Sequence, residues 1–336
     1  MASAPSRVFQ SLVLAVLAFV APVGPSADLA HAQSNYPAGP VRLIVPFAAG
    51  GPTDLIARPF AQRLGEALGT TIVTENVSGA GGTLGSVRAM QSPSDGYTLL
   101  LGNLGTHALV GSVFKKPPYD PVEDFQPVSL VARSPSVVVM RNGIPATSVK
   151  EFVAYARSQK QPLTFGTAGA GSSSHLSCLM FTSMAGIEGL HVPFRGGSAI
   201  TPELIAERLD FSCDLPVSAR GFIEAKQVKG LVLASDTRLP LIPNVPTGPE
   251  SGLPDFKTGA WHALFMPKGT PPDIVNKVLT AVRATLDDPV VIKTLAEAGA
   301  AMPGVPQRSP EGLRNWIKDE IARLAPIAAK AGIEPQ

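Results

Sequence analysis

Short apolar runs alternate with amphipathic stretches along most of the chain. Residues 43–47, 97–101 and 163–165 are apolar runs of strand length, whereas residues 54–68 carry an apolar residue at every fourth position. Strands that alternate with helices are typical of parallel sheets covered on both faces. The pattern therefore predicts an α/β protein with a mostly parallel sheet in each of its folding units.

The alternation occurs twice, which predicts two lobes. The second set begins with a helix over residues 149–157, and a strand over residues 260–265 is expected to return the chain to the first lobe. Residues 128–131 and 137–140 are either a strand pair or one interrupted strand that leaves the first lobe. The predicted lobes are residues 36–139 with 258–336, and residues 140–257. Two crossings imply a two-segment hinge, and hinged lobes close around ligands.

The same short motif follows two of the predicted strands. Residues 43–54 and 163–175 each run from an apolar strand through a glycine turn into residues that cap a helix, with Thr53 or Asp54 as the first cap. Residues 102–107 form a third turn of this kind. Such turns aim backbone N–H groups and the positive end of a helix at one point, which favours an anion.

The first 32 residues have the pattern of a secretory signal peptide. Arg7 precedes an apolar run over residues 11–20, and Ala30 and Ala32 are small residues at the positions that a signal peptidase recognises. The alternative is a membrane anchor, but the apolar run is shorter than the ~20 residues of a spanning helix. Cleavage after Ala32 would leave 304 of the 336 residues as a soluble chain. No cysteine lies near the cleavage site, so a lipoprotein is not expected.

Charge and cysteine content exclude several classes of function. The net charge is only +2 and no basic cluster is present, which argues against nucleic acid as a partner. Cys178 and Cys213 could form a disulfide, but the pattern favours two small, buried apolar residues. Without a CxxC pair or an HExxH motif, zinc is not expected, and no other metal or cofactor is predicted.

Eight stretches of the chain together form a recognisable family pattern. They are residues 41–54 (VRLIVPFAAGGPTD), 79–82 (GAGG), 95–100 (DGYTLL), 119–125 (YDPVEDF), 169–176 (GAGSSSHL), 191–197 (HVPFRGG), 243–247 (PNVPT) and 332–333 (GI). These stretches resemble the Bug family, the TctC-like substrate-binding proteins of tripartite tricarboxylate transporters, and the resemblance covers the chain after the signal almost from end to end. The sequence departs from the family pattern at Asn76-Val77-Ser78 and after Asp214, where Leu215-Pro216 follows.

The resemblance implies a periplasmic, two-lobed binding protein with a type II-like fold. Members of the family take up di- and tricarboxylates, acidic amino acids or aromatic acids and deliver them to a membrane permease, and a monomer is the default state for such a carrier. Carried over by motif, the ligand-binding residues are Phe47, Ala48, Gly50, Gly51, Thr53, Asp54, Asn103, Thr106, Thr167, Ala168, Gly171, Ser172, His175, Gly196 and Asp214.

Individual residues have alternative interpretations. Asp54 would repel a carboxylate, so we expect it to brace its loop, and His175 is expected to orient a hydrogen bond rather than to carry a proton. Asp214 either holds a ligand amine or a protonated carboxyl, or caps the following helix. Ser172, His175 and Asp214 have the residue types of an acyl-transfer triad, but no GxSxG elbow is present, so an enzyme is not expected. A ligand sensor for a two-component system would use the same pocket.

Overall fold

The computed structural model describes residues 36–333 and 335, so the predicted signal peptide lies outside the described residues. The described chain forms two five-stranded sheets flanked by helices. Among these residues, no helix combines the length and the apolar character needed to cross a bilayer.

The first sheet has the strand order β2-β1-β3-β10-β4. Its strands are β1 (Val41–Val45), β2 (Ile72–Asn76), β3 (Thr98–Asn103), β4 (Phe125–Pro135) and β10 (Gly259–Pro267). β1 pairs in parallel with both β2 and β3, whereas β10 runs antiparallel to β3 and β4. One strand of the five is therefore reversed.

The second sheet repeats this arrangement in the order β7-β6-β8-β5-β9. Its strands are β5 (Val137–Met140), β6 (Leu163–Thr167), β7 (Gly189–Pro193), β8 (Phe211–Asp214) and β9 (Lys229–Leu233). Here β6 pairs in parallel with β7 and β8, and β5 is the reversed strand. The prediction of an α/β fold with two open sheets is confirmed.

The reversed strand of each sheet is the one that follows a crossing between the sheets. Residues 128–135 and 137–140 belong to different sheets, with Ser136 between them, so the interpretation as one interrupted strand is wrong. A chain that arrives from the other lobe enters at the cleft, where the parallel strands have their carboxyl ends, and must run the opposite way. Because β5 pairs only within the second sheet, we propose to place the first lobe boundary at Ser136.

The two crossing segments are hydrogen-bonded to each other. The backbone N–H of Ser136 donates to the carbonyl of Thr258 at 3.0 Å, and the Ser136 carbonyl accepts from Ala234 at 2.8 Å. The Ser136 hydroxyl also donates to Ser177 at 2.8 Å. This network forms the two-segment hinge.

Ten α-helices cover the sheets. They are α1 (Pro52–Leu68), α2 (Thr83–Met90), α3 (Val110–Val113), α4 (Val149–Ser158), α5 (Ser173–Ala185), α6 (Ile200–Ile205), α7 (Pro216–Glu224), α8 (Pro272–Asp287), α9 (Pro289–Glu297) and α10 (Pro310–Lys330), within the part of the chain that the structure describes. Four short turns are 3₁₀-helical: Ala80–Gly82, Gly197–Ala199, Pro249–Ser251 and Val305–Gln307. A π-helical turn, Gly105–Leu109, precedes α3.

Helix α1 illustrates how sequence determines an element. Its apolar residues Ile56, Phe60 and Leu64 are buried, and Gly69 ends the helix with a φ of +74°. The predicted cap at Thr53 or Asp54 is wrong, because Gly51 occupies the N-cap position and no side chain caps the helix. Pro52 at the first helical position fixes φ for the helix start and lacks the N–H that a cap would satisfy.

The apolar core follows the alternation of the strands. On β1, Leu43 faces a cluster that includes Phe60 of α1 and Val282 of α8, whereas Ile44 faces the opposite side of the sheet. All four side chains are at most 1 % exposed. Both faces of the first sheet are therefore covered, as the apolar composition of β1 predicts.

Cys178 on α5 and Cys213 on β8 form a disulfide, with their Cα atoms 5.4 Å apart. The interpretation as two unpaired apolar residues is therefore wrong, although both residues are buried. α5 packs directly on β8, and this tertiary contact brings together two residues that are separated by 35 positions. The pattern of a helix or a strand does not contain that information.

Candidate functional site

Four strand ends meet at one cavity between the two sheets. Phe47 follows β1, Asn103 ends β3, Ala168 follows β6 and Asp214 ends β8, and all four line a cavity of about 50 Å³. Ligands of open α/β sheets bind outside the carboxyl ends of the strands. The cavity lies where that rule places a ligand, with both lobes contributing.

Three helices begin at this cavity. Pro52 and Thr53 of α1, the Ser172–Ser174 segment at the start of α5 and Leu215, the N-cap of α7, all line it. The free N–H groups and the positive dipole ends of α1, α5 and α7 therefore lie at its wall. A single anionic group between the lobes can interact with all three.

No lysine, arginine or histidine of residues 36–333 lines the cavity, and Asp214 is its one charged lining residue. The polar lining consists of hydroxyl and amide groups. Asn103 accepts a hydrogen bond from the backbone N–H of Thr106 through Oδ1 at 3.2 Å, which leaves its amide Nδ2 to face other groups. Ser173 is 8 % exposed, and its hydroxyl has no hydrogen-bond partner among the described residues. The site can thus recognise an acid through neutral donors.

Burial raises the pKa of Asp214 to about 6. Two hydrogen bonds oppose this effect: Oδ1 accepts from the backbone N–H of Leu215 at 2.8 Å and from the hydroxyl of Ser218 at 2.6 Å. Asp214 thus bonds two residues at the start of α7 and also lines the cavity. The interpretation as the helix cap is wrong, because Leu215 is the N-cap and no side chain caps α7, whereas ligand contact by Asp214 stays a prediction. A carboxyl that shares a proton near neutral pH can accept from a ligand amine or hydroxyl, or donate to a ligand carboxylate.

Asp54 braces the first glycine turn. Its Oδ2 accepts from the backbone N–H of Gly50 at 2.9 Å and from Arg58 at 2.7 Å, and its Oδ1 accepts from Asn76 at 2.9 Å. Burial alone would raise the pKa of Asp54, but these bonds outweigh it and lower the pKa. Asn76 also donates to the Phe47 carbonyl at 3.0 Å, which gives a role to a position where the sequence departs from its family.

Glycines of the two lobes pack against each other beside the cavity. A Cβ atom on Gly81 would lie 2.2 Å from the carbonyl oxygen of Ala170, and one on Gly196 would lie 2.7 Å from Cβ of Ala48. A Cβ on Gly105 would lie 2.9 Å from the carbonyl oxygen of Gly171. We call these close contacts the glycine seam. Its members are Ala48, Gly51, Gly81, Gly105, Gly169, Ala170, Gly171, Gly196 and Gly197.

The residues carried over from the family motifs fall into three groups in the structure. The cavity lining contains Phe47, Thr53, Asn103, Ala168, Ser172 and Asp214. The glycine seam contains Ala48, Gly51, Gly171 and Gly196. The remaining residues hydrogen-bond behind these two surfaces: Gly50, Asp54, Thr106, Thr167 and His175. Direct ligand contact at these fifteen positions remains a prediction.

His175 lies behind the lining. Its Nδ1 accepts from the backbone N–H of Gly171 at 3.3 Å, and its ring stacks on His191 with centroids 4.1 Å apart. Burial, and secondly the neighbouring His191, lower the pKa of His175 to about 4. A neutral ring that holds a loop amide is the orienting partner expected from the sequence.

The residue types of a hydrolase triad do not assemble. The Ser172 hydroxyl donates to the Gly169 carbonyl at 2.7 Å and accepts from the backbone N–H of His175 at 3.3 Å. Asp214 bonds Leu215 and Ser218 instead of a histidine. Within the described residues, no cluster of three or more His, Cys, Asp or Glu side chains could hold a metal ion.

Sequence reasoning missed part of the lining. The lining residues outside the predicted ligand-binding set are Pro52, Ser136, Ser173, Ser174, Gly197, Cys213, Leu215 and Ala260. The serine run 172–174 carried a signal, since all three members line the cavity. Ser136 and Ala260 lie on the crossing segments, and only the hinge brings them to the ligand side.

A larger groove of about 1280 Å³ is lined by residues of both crossing segments, among them Pro135 and Gly259. Trp261 and Trp316 line it, together with Arg133, whose guanidinium carbon is 4.9 Å from the centroid of the Trp316 ring. Ala260 lines both cavities. We assign the ligand site to the smaller cavity, because that is where the strand ends and helix N-termini meet.

Comparison with known proteins agrees with this geometry. Residues 56–333 match the family described as tripartite tricarboxylate transporter family receptor. A relative from Agrobacterium vitis, the UPF0065 protein in the TAR-I ttuE-ttuC' intergenic region, is 36 % identical over 304 residues, 90 % of this chain and 88 % of the relative.

Two solved structures are similar over nearly their whole length. The periplasmic binding protein BugD has a TM-score of 0.85 and 34 % identity, with 90 % of this chain and 100 % of BugD covered. MatC from Rhodopseudomonas palustris with bound malate has a TM-score of 0.82 and 39 % identity, with 87 % and 99 % covered. The chain therefore belongs to the tripartite tricarboxylate transporter receptor family, as its resemblance to Bug proteins predicted.

Proposed function

We propose that this protein is a periplasmic solute-binding protein that captures a small carboxylate and delivers it to the membrane permease of a tripartite tricarboxylate-type transporter. The observation that carries the proposal is the meeting of three helix N-termini at a cavity between two hinged lobes, with no basic side chain in the described lining. Membership of the family supports delivery to a permease, and a periplasmic location requires cleavage of the expected signal after Ala32. We expect the carrier to be a monomer.

The energetics of such a site are sufficient for micromolar binding. Three helix N-termini contribute about 0.3 to 1 kcal/mol each, and four hydrogen bonds to a charged group contribute about 1.5 to 3 kcal/mol each. The gross attraction is on the order of 7 to 15 kcal/mol, and lost ligand freedom removes several kcal/mol of it. A micromolar site needs about 8 kcal/mol, so a basic side chain is not required.

The cavity sets the size and chemistry of the ligand. A volume of about 50 Å³ holds on the order of three to five water molecules, so a larger acid needs wider separation of the lobes. Asp214 favours a ligand that presents a hydrogen-bond donor or a shared proton beside its carboxylate. Di- and tricarboxylates, acidic amino acids and aromatic acids remain the candidates, and malate, bound in the MatC structure, is the first to test.

Native mass spectrometry of the purified protein, followed by calorimetric titration with malate and a panel of these acids, tests the proposal. We expect one acid to bind and to be recovered unchanged. Gly51→Val should abolish binding while the protein stays folded, because its side chain would enter the seam near Ser198. Gly111→Val is the matched control, since nothing lies within 4 Å of a Cβ there. A wild-type protein that binds none of the acids would refute the proposal.

A further inference from the structure

His262 is a buried histidine that is not among the residues carried over from the family motifs. It lies on the hinge strand β10, opposite Asn103 of β3 in the antiparallel register, and is 0 % exposed. Its Nε2 lies 3.2 Å from the Thr53 hydroxyl, across a separation of 209 residues. His262 therefore contacts one residue of the cavity lining and pairs with another.

The surroundings of the ring decide which nitrogen carries the proton. Burial lowers the pKa of His262 to about 4, so the ring is neutral at neutral pH and has one N–H. Nδ1 has no hydrogen-bond partner among the described residues, whereas Nε2 faces the Thr53 oxygen. A buried N–H without an acceptor is rarer than an under-used acceptor, so the proton belongs on Nε2.

The consequence falls on Thr53. When Nε2–H donates to the Thr53 oxygen, the hydroxyl hydrogen cannot point at the ring and is left for another acceptor. Thr53 lines the cavity, and within residues 36–333 its hydroxyl has no second hydrogen-bond partner. The hydroxyl therefore presents a donor at the ligand side.

We propose that His262 is a positioning residue that fixes the Thr53 hydroxyl as a donor to the ligand carboxylate. This inference rests on the proposed function and adds the orientation of the ligand between the two lobes. An ionised carboxylate faces Thr53 of the first lobe, and the donor-bearing part of the ligand faces Asp214 of the second. A ligand that presents an ionised carboxylate to Thr53 accepts a hydrogen bond from its hydroxyl, whereas one that presents an N–H leaves that hydroxyl hydrogen without an acceptor and binds more weakly.

The proton position is tested without any ligand. In protein labelled with ¹⁵N-histidine, long-range ¹H–¹⁵N correlation spectra distinguish the two neutral tautomers, and His262→Gln identifies the signal among the five histidines. We expect the Nε2-protonated form at neutral pH. A proton on Nδ1 would overturn the inference.

A double-mutant cycle tests the role in binding, with malate or whichever acid of the panel binds the wild-type protein. We expect Thr53→Val to weaken affinity about tenfold to a hundredfold, and His262→Leu about threefold to tenfold. In the Thr53→Val background, His262→Leu should change affinity by less than about twofold, because its effect passes through the hydroxyl. His262→Gln, which keeps an N–H donor, should retain more affinity than His262→Leu.

Thr285→Val is the matched control, because Thr285 is a buried helical threonine whose hydroxyl bonds its own helix at Ala281. It should leave affinity unchanged. Additive losses in the cycle would show that His262 affects binding independently of the Thr53 hydroxyl and would refute the inference alone. Absence of binding by the wild-type protein would refute the proposed function, and the spectra would still decide the tautomer.

Discussion

Gly81 of the first lobe and Ala170 of the second meet with no room for a side chain between them. A Cβ on Gly81 would lie 2.2 Å from the Ala170 carbonyl oxygen, far inside any real contact. The backbone N–H groups of Gly50, Gly51, Gly169 and Gly171 donate within their own loops. The effect of the glycines that the structure shows is that the two lobes approach until their backbones touch.

Gly81→Ala should hold the lobes apart. We expect small-angle scattering with a saturating acid to show less compaction than in the wild-type protein, and affinity to fall by tenfold or more. Gly69→Ala is the control, because Gly69 has a similar φ, +74° against +64°, and open space around its Cβ. Both variants then carry the same backbone strain of about 1 kcal/mol from an alanine at positive φ. Equal compaction in the two variants would show that the contact at Gly81 does not limit the approach of the lobes.

Asp214→Asn should stabilise the protein at neutral pH. The pKa of Asp214 is raised to about 6, so the folded state binds more protons than the unfolded state between about pH 4 and pH 6. Stability from this group is complete below about pH 4 and is lost as the pH rises through 6. Above that, the wild-type protein carries a penalty of about 2 to 3 kcal/mol that the asparagine lacks. Urea unfolding at pH 4 and pH 7.5 should show the difference at pH 7.5 only, and an equal difference at both values would be inconsistent with this account.

Reduction of the Cys178–Cys213 disulfide should destabilise the second lobe. The bond closes a loop of 35 residues, for which chain entropy predicts about 4 kcal/mol. Thermal unfolding with and without dithiothreitol measures the loss, and Cys178→Ser/Cys213→Ser is the control that should not respond to reductant. Because Cys213 lines the cavity, we also expect weaker binding by the reduced protein. An unchanged melting temperature after complete reduction would argue against the bond.

Ligand affinity should depend weakly on salt. The described cavity lining has no basic side chain, and its donors are backbone and hydroxyl groups between closed lobes. Raising ionic strength from about 0.01 to about 1 M shortens the Debye length from ~30 to ~3 Å, yet affinity should change by less than about tenfold. Calorimetric titration at several ionic strengths in this range measures the change in affinity. A loss of several orders of magnitude would indicate a cationic site.

Local pattern was enough to predict the parts of the fold that depend on neighbours in sequence. The apolar spacing around Phe60 predicted α1, and the strand–glycine–serine order before His175 predicted the helix α5. The strands β5 and β10 were predicted, but their reversed direction was not, because that direction depends on where the chain enters a lobe. A helical period carries no information about that entry point.

The rest of the site depends on contacts between distant residues. His262 and Thr53 are 209 positions apart, and Cys178 and Cys213 approach only because α5 packs on β8. Single-sequence patterns report which face of an element is apolar, but they do not report which element covers it. For the same reason the sequence around Ala260, on a buried hinge strand, does not predict that this residue lines the cavity.

The hydrogen bonds at Ser136 restrict how the two halves can travel. Because the backbone of Ser136 ties one connecting strand to Thr258 of the other and to Ala234 beside it, we expect the two connections to bend together and not independently. A lobe closure of the kind we propose would then be a rotation about this one line, and it would bring the same loops back into contact each time.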